Sequence, residues 1–133
     1  MDVALVEIEP EKVEEIINSI PELNEPAGIR TLSDKDKGPV KVFLYGASSQ
    51  FREGIVTSLS GDAKIQYSTD VFQMINLITI ENNGSAISKQ GDSGCIVVDE
   101  DNKVLGIVVA GDPTVTYVIP IEKMLKKLKV QLV

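Results

Sequence analysis

A mainly β chain, closing as a single six-stranded antiparallel barrel with a short strand and helix before it and a helix after it, is the architecture the sequence predicts. Three observations carry this. The hydrophobic fraction is 43% with only 5% aromatic residues, so the apolar content is mostly Val, Ile and Leu, residues that fit a pleated, half-buried surface. Between residues 40 and 119, short apolar runs alternate with turn-forming Gly, Asp, Asn and Pro. A 3.6-residue apolar period appears only near the two ends of the chain. A length of 133 residues suffices for one hydrophobic core.

The elements follow in order. Residues 2–8 (Val3, Ala4, Leu5, Val6, Ile8) read as a short strand ending before Pro10. Val13, Ile16, Ile17 and Ile20 then repeat at i, i+3, i+4 and i+7, which predicts a helix from Pro10 to Pro21 with Glu11, Lys12, Glu14 and Glu15 on its wet face. Residues 22–39 hold Pro26, the Gly38-Pro39 junction and the charge cluster Asp34-Lys35-Asp36-Lys37, a composition that predicts an exposed linker. The expected division is therefore 1–39 as strand, helix and linker, and 40–133 as barrel and terminal helix. β-type runs are expected at 40–45, 54–59, 63–67, 71–80, 95–98, 103–109 and 114–119. Asp99-Glu100-Asp101-Asn102 and Gly111-Asp112-Pro113 supply turns, because Asp and Asn side chains bond their own backbone and Asn tolerates left-handed angles. Ile121, Met124, Leu125 and Leu128 restore the helical period after Pro120, with Lys123, Lys126, Lys127 and Lys129 toward the negative end of the helix dipole.

Composition excludes several function classes. A net charge of -7 opposes attraction to phosphate backbones and anionic lipid, so no nucleic-acid or membrane partner is expected. No apolar run approaches the roughly 20 residues of a membrane-spanning helix, and the first residues lack the basic and apolar regions of a signal peptide. Cys95 is the single cysteine and reads as a small buried hydrophobe. With no disulfide framework, the expected location is a reducing, intracellular (cytoplasmic) compartment. The chain has no histidine, so the usual zinc ligand sets are missing, and neither a metal nor another cofactor is expected.

One segment carries chemistry. In Gln90-Gly91-Asp92-Ser93-Gly94, glycines on both sides let the backbone turn tightly, project Ser93 and aim amide N–H groups at a bound carbonyl oxygen. On spacing alone the same tetrapeptide also suits an ordinary hairpin turn. Its surroundings favour the first alternative. Gly91-Asp92-Ser93-Gly94, an apolar strand, a hairpin, 104–111, a further strand and a terminal amphipathic helix resemble the trypsin/chymotrypsin-like serine protease family in order and spacing. Val42-Phe43-Leu44-Tyr45-Gly46-Ala47 followed by Gly54-Ile55-Val56 is similar to the opening hairpin of that family's second barrel, and Asp2-Val3-Ala4-Leu5 is similar to the strand bearing its catalytic aspartate.

The resemblance implies a Greek-key barrel of the chymotrypsin-like type. It further implies Ser93 as nucleophile, the amides of Gly91 and Ser93 as oxyanion donors, and Asp2 as the residue that orients a histidine. Asp92 would hold the loop rather than act as an acid. The substrate side chain would meet Ile87, Ser88, Gln90 and the strand Val109-Ala110-Gly111, with no acid at the base of the pocket to select Lys or Arg. Because the family's histidine precedes its aspartate, this chain is expected to be the C-terminal part of a serine endopeptidase. A histidine-bearing N-terminal protease segment would be its partner, a peptide or protein its substrate, and the exposed inter-barrel face a candidate dimer surface. Alone, without a general base, it is expected to be inactive, since a serine hydroxyl is a weak nucleophile. Lys89 would serve as base only with a strongly depressed pKa and otherwise reads as a surface lysine. The non-enzymatic alternative is a pseudoprotease that binds a peptide as an added strand. A hydrolase of another type, or a plain β domain, would leave Gly91-Asp92-Ser93-Gly94 as a turn.

Overall fold

The computed structural model describes residues 7–15, 19–36, 38–67 and 69–130. Six strands carry the fold: β1 (Lys41–Gly46), β2 (Gln50–Tyr67), β3 (Asp70–Glu81), β4 (Ile96–Asp99), β5 (Val104–Gly111) and β6 (Thr116–Pro120), followed by the helix α1 (Ile121–Leu128). They pair antiparallel in the order β1-β2-β3-β6-β5-β4, and β4 pairs back onto β1, with Val42 opposite Asp99 and Leu44 opposite Val97, so the ring closes. Closure removes the free edges from the paired part of the ring.

Period-2 alternation explains the interior. Val42 and Leu44 of β1, Ile78 and Ile80 of β3, and Val118 of β6 point into the ring, where they meet Ile87, Val97, Leu105 and Val108. The outer face is apolar as well along β4, β5 and β6. There Val98, Val104, Val109 and Ile119 pack with Leu77, Ile121 and Met124 under α1. Burial on both faces is why 104–109 reads as a continuous apolar run rather than an alternating one. The helix is the one its spacing predicts. Ile121 and Met124 are buried, and Lys129 at φ +57° ends it, its N–H and that of Val130 turning back to the carbonyls of Lys126 and Leu125.

Two expectations are corrected. The runs at 54–59 and 63–67 belong to one 18-residue strand; register shifts at Val56/Ser58, Ser58/Gly61 and Gly61/Ala63 bend it instead of ending it. Beyond those bulges, β2 and β3 continue as a two-stranded arm from Ala63↔Met74 to Tyr67↔Asp70, whose Ala63, Ile65 and Met74 pack on the outer cluster. In place of a helix through residue 20, Pro10–Glu15 forms a 3-10 helix and Ile20 makes an isolated bridge to Asn24. Ile16 and Ile17 of the expected stripe lie outside the described residues. Of the strand expected at 2–8, residues 2–6 lie outside the described residues, and Glu7 and Ile8 are exposed and outside any strand.

The linker makes backbone contacts that its composition does not announce. Its side chains are largely exposed, as its composition predicts, but its backbone is tied to the β4–β5 turn. Ala27 N–H donates to Asn102 O, Val104 N–H to Gly28 O, and Arg30 N–H to Val104 O, each at 2.8 Å. Ile29 thus bridges Val104 in parallel. The Arg30 guanidinium donates to Asp99 Oδ2 at 3.1 Å and to Asp36 Oδ1 at 3.0 Å. Asp99, 3% exposed, also accepts the N–H groups of Asp101 and Lys103 at 2.9 Å, so one carboxylate shapes the hairpin and anchors the segment before it. The turn after β5 works alike: Asp112 Oδ1 accepts the N–H groups of Thr114 and Val115 and the Thr114 hydroxyl.

Replacing Arg30 with Ala should lower stability by about 1–2 kcal/mol, read as a fall in the urea midpoint with little change in m. It should also speed amide exchange at Ala27 and Arg30 while leaving the β1–β2 amides protected.

Candidate active site

At one end of the ring, the loop after β1 and the segment 87–95 meet around a buried carboxylate. Asp92 is 1% exposed. Its Oδ1 accepts the N–H groups of Ser48 at 2.8 Å and Ser49 at 3.1 Å, and its Oδ2 accepts that of Lys89 at 2.8 Å. Burial works against the charge, but donors from Ser49, Lys89 and Ser48 outweigh it and hold the carboxyl below the usual aspartate range. Gly46 makes room: a Cβ there would overlap Asp92 Oδ1. Asp92 is thus a structural anchor for the loop, as its place in the sequence motif implied.

The anchor shapes the two residues beside it. Gly91 has φ +100° and packs so closely on Ser48 Oγ that a Cβ would overlap it. Asp92 N–H donates to Lys89 O, Cys95 N–H to Asp92 O and Gly94 N–H to Val108 O, which turns the chain tightly and returns it to the ring. Ser93 stands exposed at the apex. Its hydroxyl donates to Val109 O at 3.1 Å. Among the described residues, no acceptor takes the N–H of Gly91 or of Ser93.

The remaining predicted positions differ in their surroundings. Ile87, 3% exposed, has its side chain in the interior cluster. Ser88 is half-buried and Gln90 exposed; Val109 is buried, Ala110 half-buried and Gly111 exposed at the end of β5. Val109 O already holds the Ser93 hydroxyl, and Gly111 faces the Ser88 hydroxyl. Asp2 lies outside the described residues. Thr116, Ser48 and Gly46 belong to the same site without having been singled out in the sequence. A hydroxyl inside an apolar strand (Thr116) and a glycine closing an apolar run (Gly46) are the only signals they leave.

Other chemistry is thin here. Burial, and then the Asp92 charge, pushes the half-buried Cys95 thiol up to about 12, so it stays protonated and unreactive near neutral pH. Among the described residues, no three His, Cys, Asp or Glu side chains group to hold a metal ion. A concavity of about 740 Å³ between the 32–40 segment and the bulged part of β2 shares no lining residue with the Ser93 loop. No helix among the described residues is long and apolar enough to cross a membrane.

No family model and no curated protein matches the chain. Among solved structures, it is similar to a glutamic acid-specific serine protease that uses a histidine triad in substrate binding, with a TM-score of 0.54 over 79% of this chain at 16% identity. The likeness is one of fold: the ring of six antiparallel strands matches part of that serine protease's β fold. The match takes in 53% of the protease, so this chain spans about half of that protein's length.

Asp92→Asn should cost about 2–3 kcal/mol near neutral pH, because an amide nitrogen replaces one acceptor in a pocket of N–H donors. The folded pKa of Asp92 lies below its unfolded value, so its contribution is present above about pH 4 and is lost as pH falls through the lowered value. Urea titrations should show the gap between wild type and Asp92→Asn steady from about pH 7 to 5 and closing below about pH 4. Gly46→Ala should destabilise at all of these pH values by displacing the carboxylate.

Proposed function

We propose that this chain is the serine-bearing C-terminal part of a chymotrypsin-like serine endopeptidase, with its ring of strands a Greek-key barrel of that type at residues 40–133 and residues 1–39 belonging to the inter-barrel region. The observation that carries the reading is the Ser93 loop: its hydroxyl is exposed, the amides of Gly91 and Ser93 have no acceptor among the described residues, and the Asp92 carboxylate anchors the turn. In this reading Ser93 Oγ attacks the scissile carbonyl, the two amides receive the oxyanion, and the acyl-enzyme is later released by water. The general base is a histidine supplied by an N-terminal protease segment, which Asp2 orients. The Val109 carbonyl that now holds the Ser93 proton is no base, so the chain by itself turns over little or no substrate. Histidine-based recognition of an acidic residue, named for the similar protease, has no counterpart in a chain without histidine.

The Ser93 hydroxyl is bonded to a backbone carbonyl, Val109 O, and this favours one second reading, a pseudoprotease that binds peptides or proteins beside Ser93 and regulates rather than cleaves.

A fluorophosphonate probe separates the two. Labelling of Ser93 should be weak in the chain alone, rise at least about 100-fold when the polypeptide encoded immediately before it is added, and vanish in Ser93→Ala. Absence of labelling under both conditions counts against the endopeptidase and for the binding module.

A further inference from the structure

The arm formed by residues 63–67 of β2 and 70–75 of β3 extends beyond the paired ring, and its two outer edges are not alike. β6 pairs with β3 only at residues 78–80, and β1 pairs with β2 only as far as Ile55. Among the described residues, each strand of the arm therefore has a neighbouring strand on one side alone. The β2 edge carries Asp62 and Lys64, charges of the kind that keep an edge from pairing with another chain. The β3 edge, Val71-Phe72-Gln73-Met74-Ile75-Asn76, carries no charge, no proline and no glycine, the composition of a strand that pairs readily. Val71 is 61% and Ile75 59% exposed, so two β-branched side chains stand in water along that edge.

Backbone geometry fixes which groups face outward. Tyr67 is paired with Asp70, three positions on, and a pair that closes so short a connection exchanges both of its hydrogen bonds. Bonded and non-bonded pairs alternate along an antiparallel ladder. Phe72 and Met74 thus turn their backbone N–H and C=O toward β2, and Val71, Gln73 and Ile75 turn theirs away from it. That outward row matches itself. Laid antiparallel against a copy with Gln73 opposite Gln73, it sets Val71 of each chain against Ile75 of the other, every such pair being of the kind that exchanges two hydrogen bonds. The two rings then lie at opposite ends of the joined sheet, because the paired strands run in from opposite directions.

We propose that this chain forms a symmetric dimer in which the β3 edge of the arm, residues 71–75, pairs antiparallel with the same edge of a second copy. The register singles out a second copy as the occupant, because one strand supplies both halves of the match: Val71 meets Ile75 and Ile75 meets Val71. Charge agrees with it. No charged residue in 71–76 meets its own image, and the charged β2 edges stay outside the contact. Two hairpins meeting edge to edge bury less than the roughly 1,200 Å² of a standard interface, and each chain carries a net charge of -7. The dimer is therefore weak, with a Kd on the order of 100 μM. Nothing in this proposal depends on a role for Ser93.

Sedimentation equilibrium of the whole chain from about 10 μM to about 1 mM, in about 0.3 M salt to screen the like charges, should show a monomer–dimer equilibrium. Gln73→Pro removes an N–H that the arm itself does not use, and proline is tolerated on an edge whose N–H faces solvent. Ile75→Lys places a charge on the same edge. Both variants should weaken dimerisation at least about tenfold, and Gln66→Lys, on the β2 edge, should leave it within about twofold; a native-like amide spectrum confirms that each is folded. Gln73→Cys reads the register, because directly opposed residues of a bonded pair have Cα atoms about 5.5 Å apart, within disulfide range. Mild oxidation should give it a covalent dimer that neither the wild type, with Cys95 alone, nor Gln66→Cys forms. A monomer at every concentration, a dimer insensitive to both edge variants, or cross-linking of Gln66→Cys as readily as of Gln73→Cys overturns the inference.

Discussion

The Asp92 carboxylate, buried among three backbone N–H donors, is the interaction on which the rest of the candidate site depends. An ionised group so deeply placed is tolerated only when its lone pairs are taken up. Here they are taken up by Ser48 and Ser49 from the loop after β1 and by Lys89 from the segment before the serine. Two loops far apart in sequence are therefore pinned to one point. The conformations of Gly91 and Ser93 follow from that pin, because the chain must leave Asp92 on both sides without disturbing its donors. The anchor is assembled entirely from this chain's own backbone amides, so the loop holds its shape on the ring alone.

The ring supplies the rigidity behind the anchor. Gly46 ends β1 beneath Asp92, Val109 in β5 holds the Ser93 hydroxyl, and Thr116 at the start of β6 holds the 87–88 backbone. Three strands thus each contribute one fixed group to a loop that has little packing of its own. Strand-borne groups are placed more firmly than loop-borne ones, which is how an exposed hydroxyl can be kept in one orientation. Among the described residues, the hydrogen-bond partner given for the Ser93 hydroxyl is the Val109 carbonyl, and removing a hydroxyl proton requires a group of greater basicity.

Much of this was legible in the residues. The strand runs at 40–45, 71–80, 95–98, 103–109 and 114–119 and the terminal helix all correspond to observed elements, because each carries a strong period, bounded by turn residues whose mechanism is local. Asp99 and Asp112 bond their own backbone as their type suggests. The misread parts are those where distant contacts decide. Nothing in 56–63 announces three register shifts rather than a strand end, and Arg30 gives no sign that its partner lies 69 residues away. Of the isoleucine pattern at 13–20, Ile20 is held in a bridge to Asn24 instead of a helical turn.

The sequence by itself determined the strand content, the turns, the terminal helix and the marked position of Ser93, because all of these are set by neighbours within a few residues. The tertiary structure decided which groups meet at that serine. Asp92 as anchor depends on amides 43 and 44 residues away, and the Ser88–Thr116 hydrogen bond spans 28 residues and the closing of a ring. Hydrogen bonds between distant segments leave no periodicity in a sequence, since any Ser, Thr or backbone amide can make them, and only the path of the strands selects which ones do.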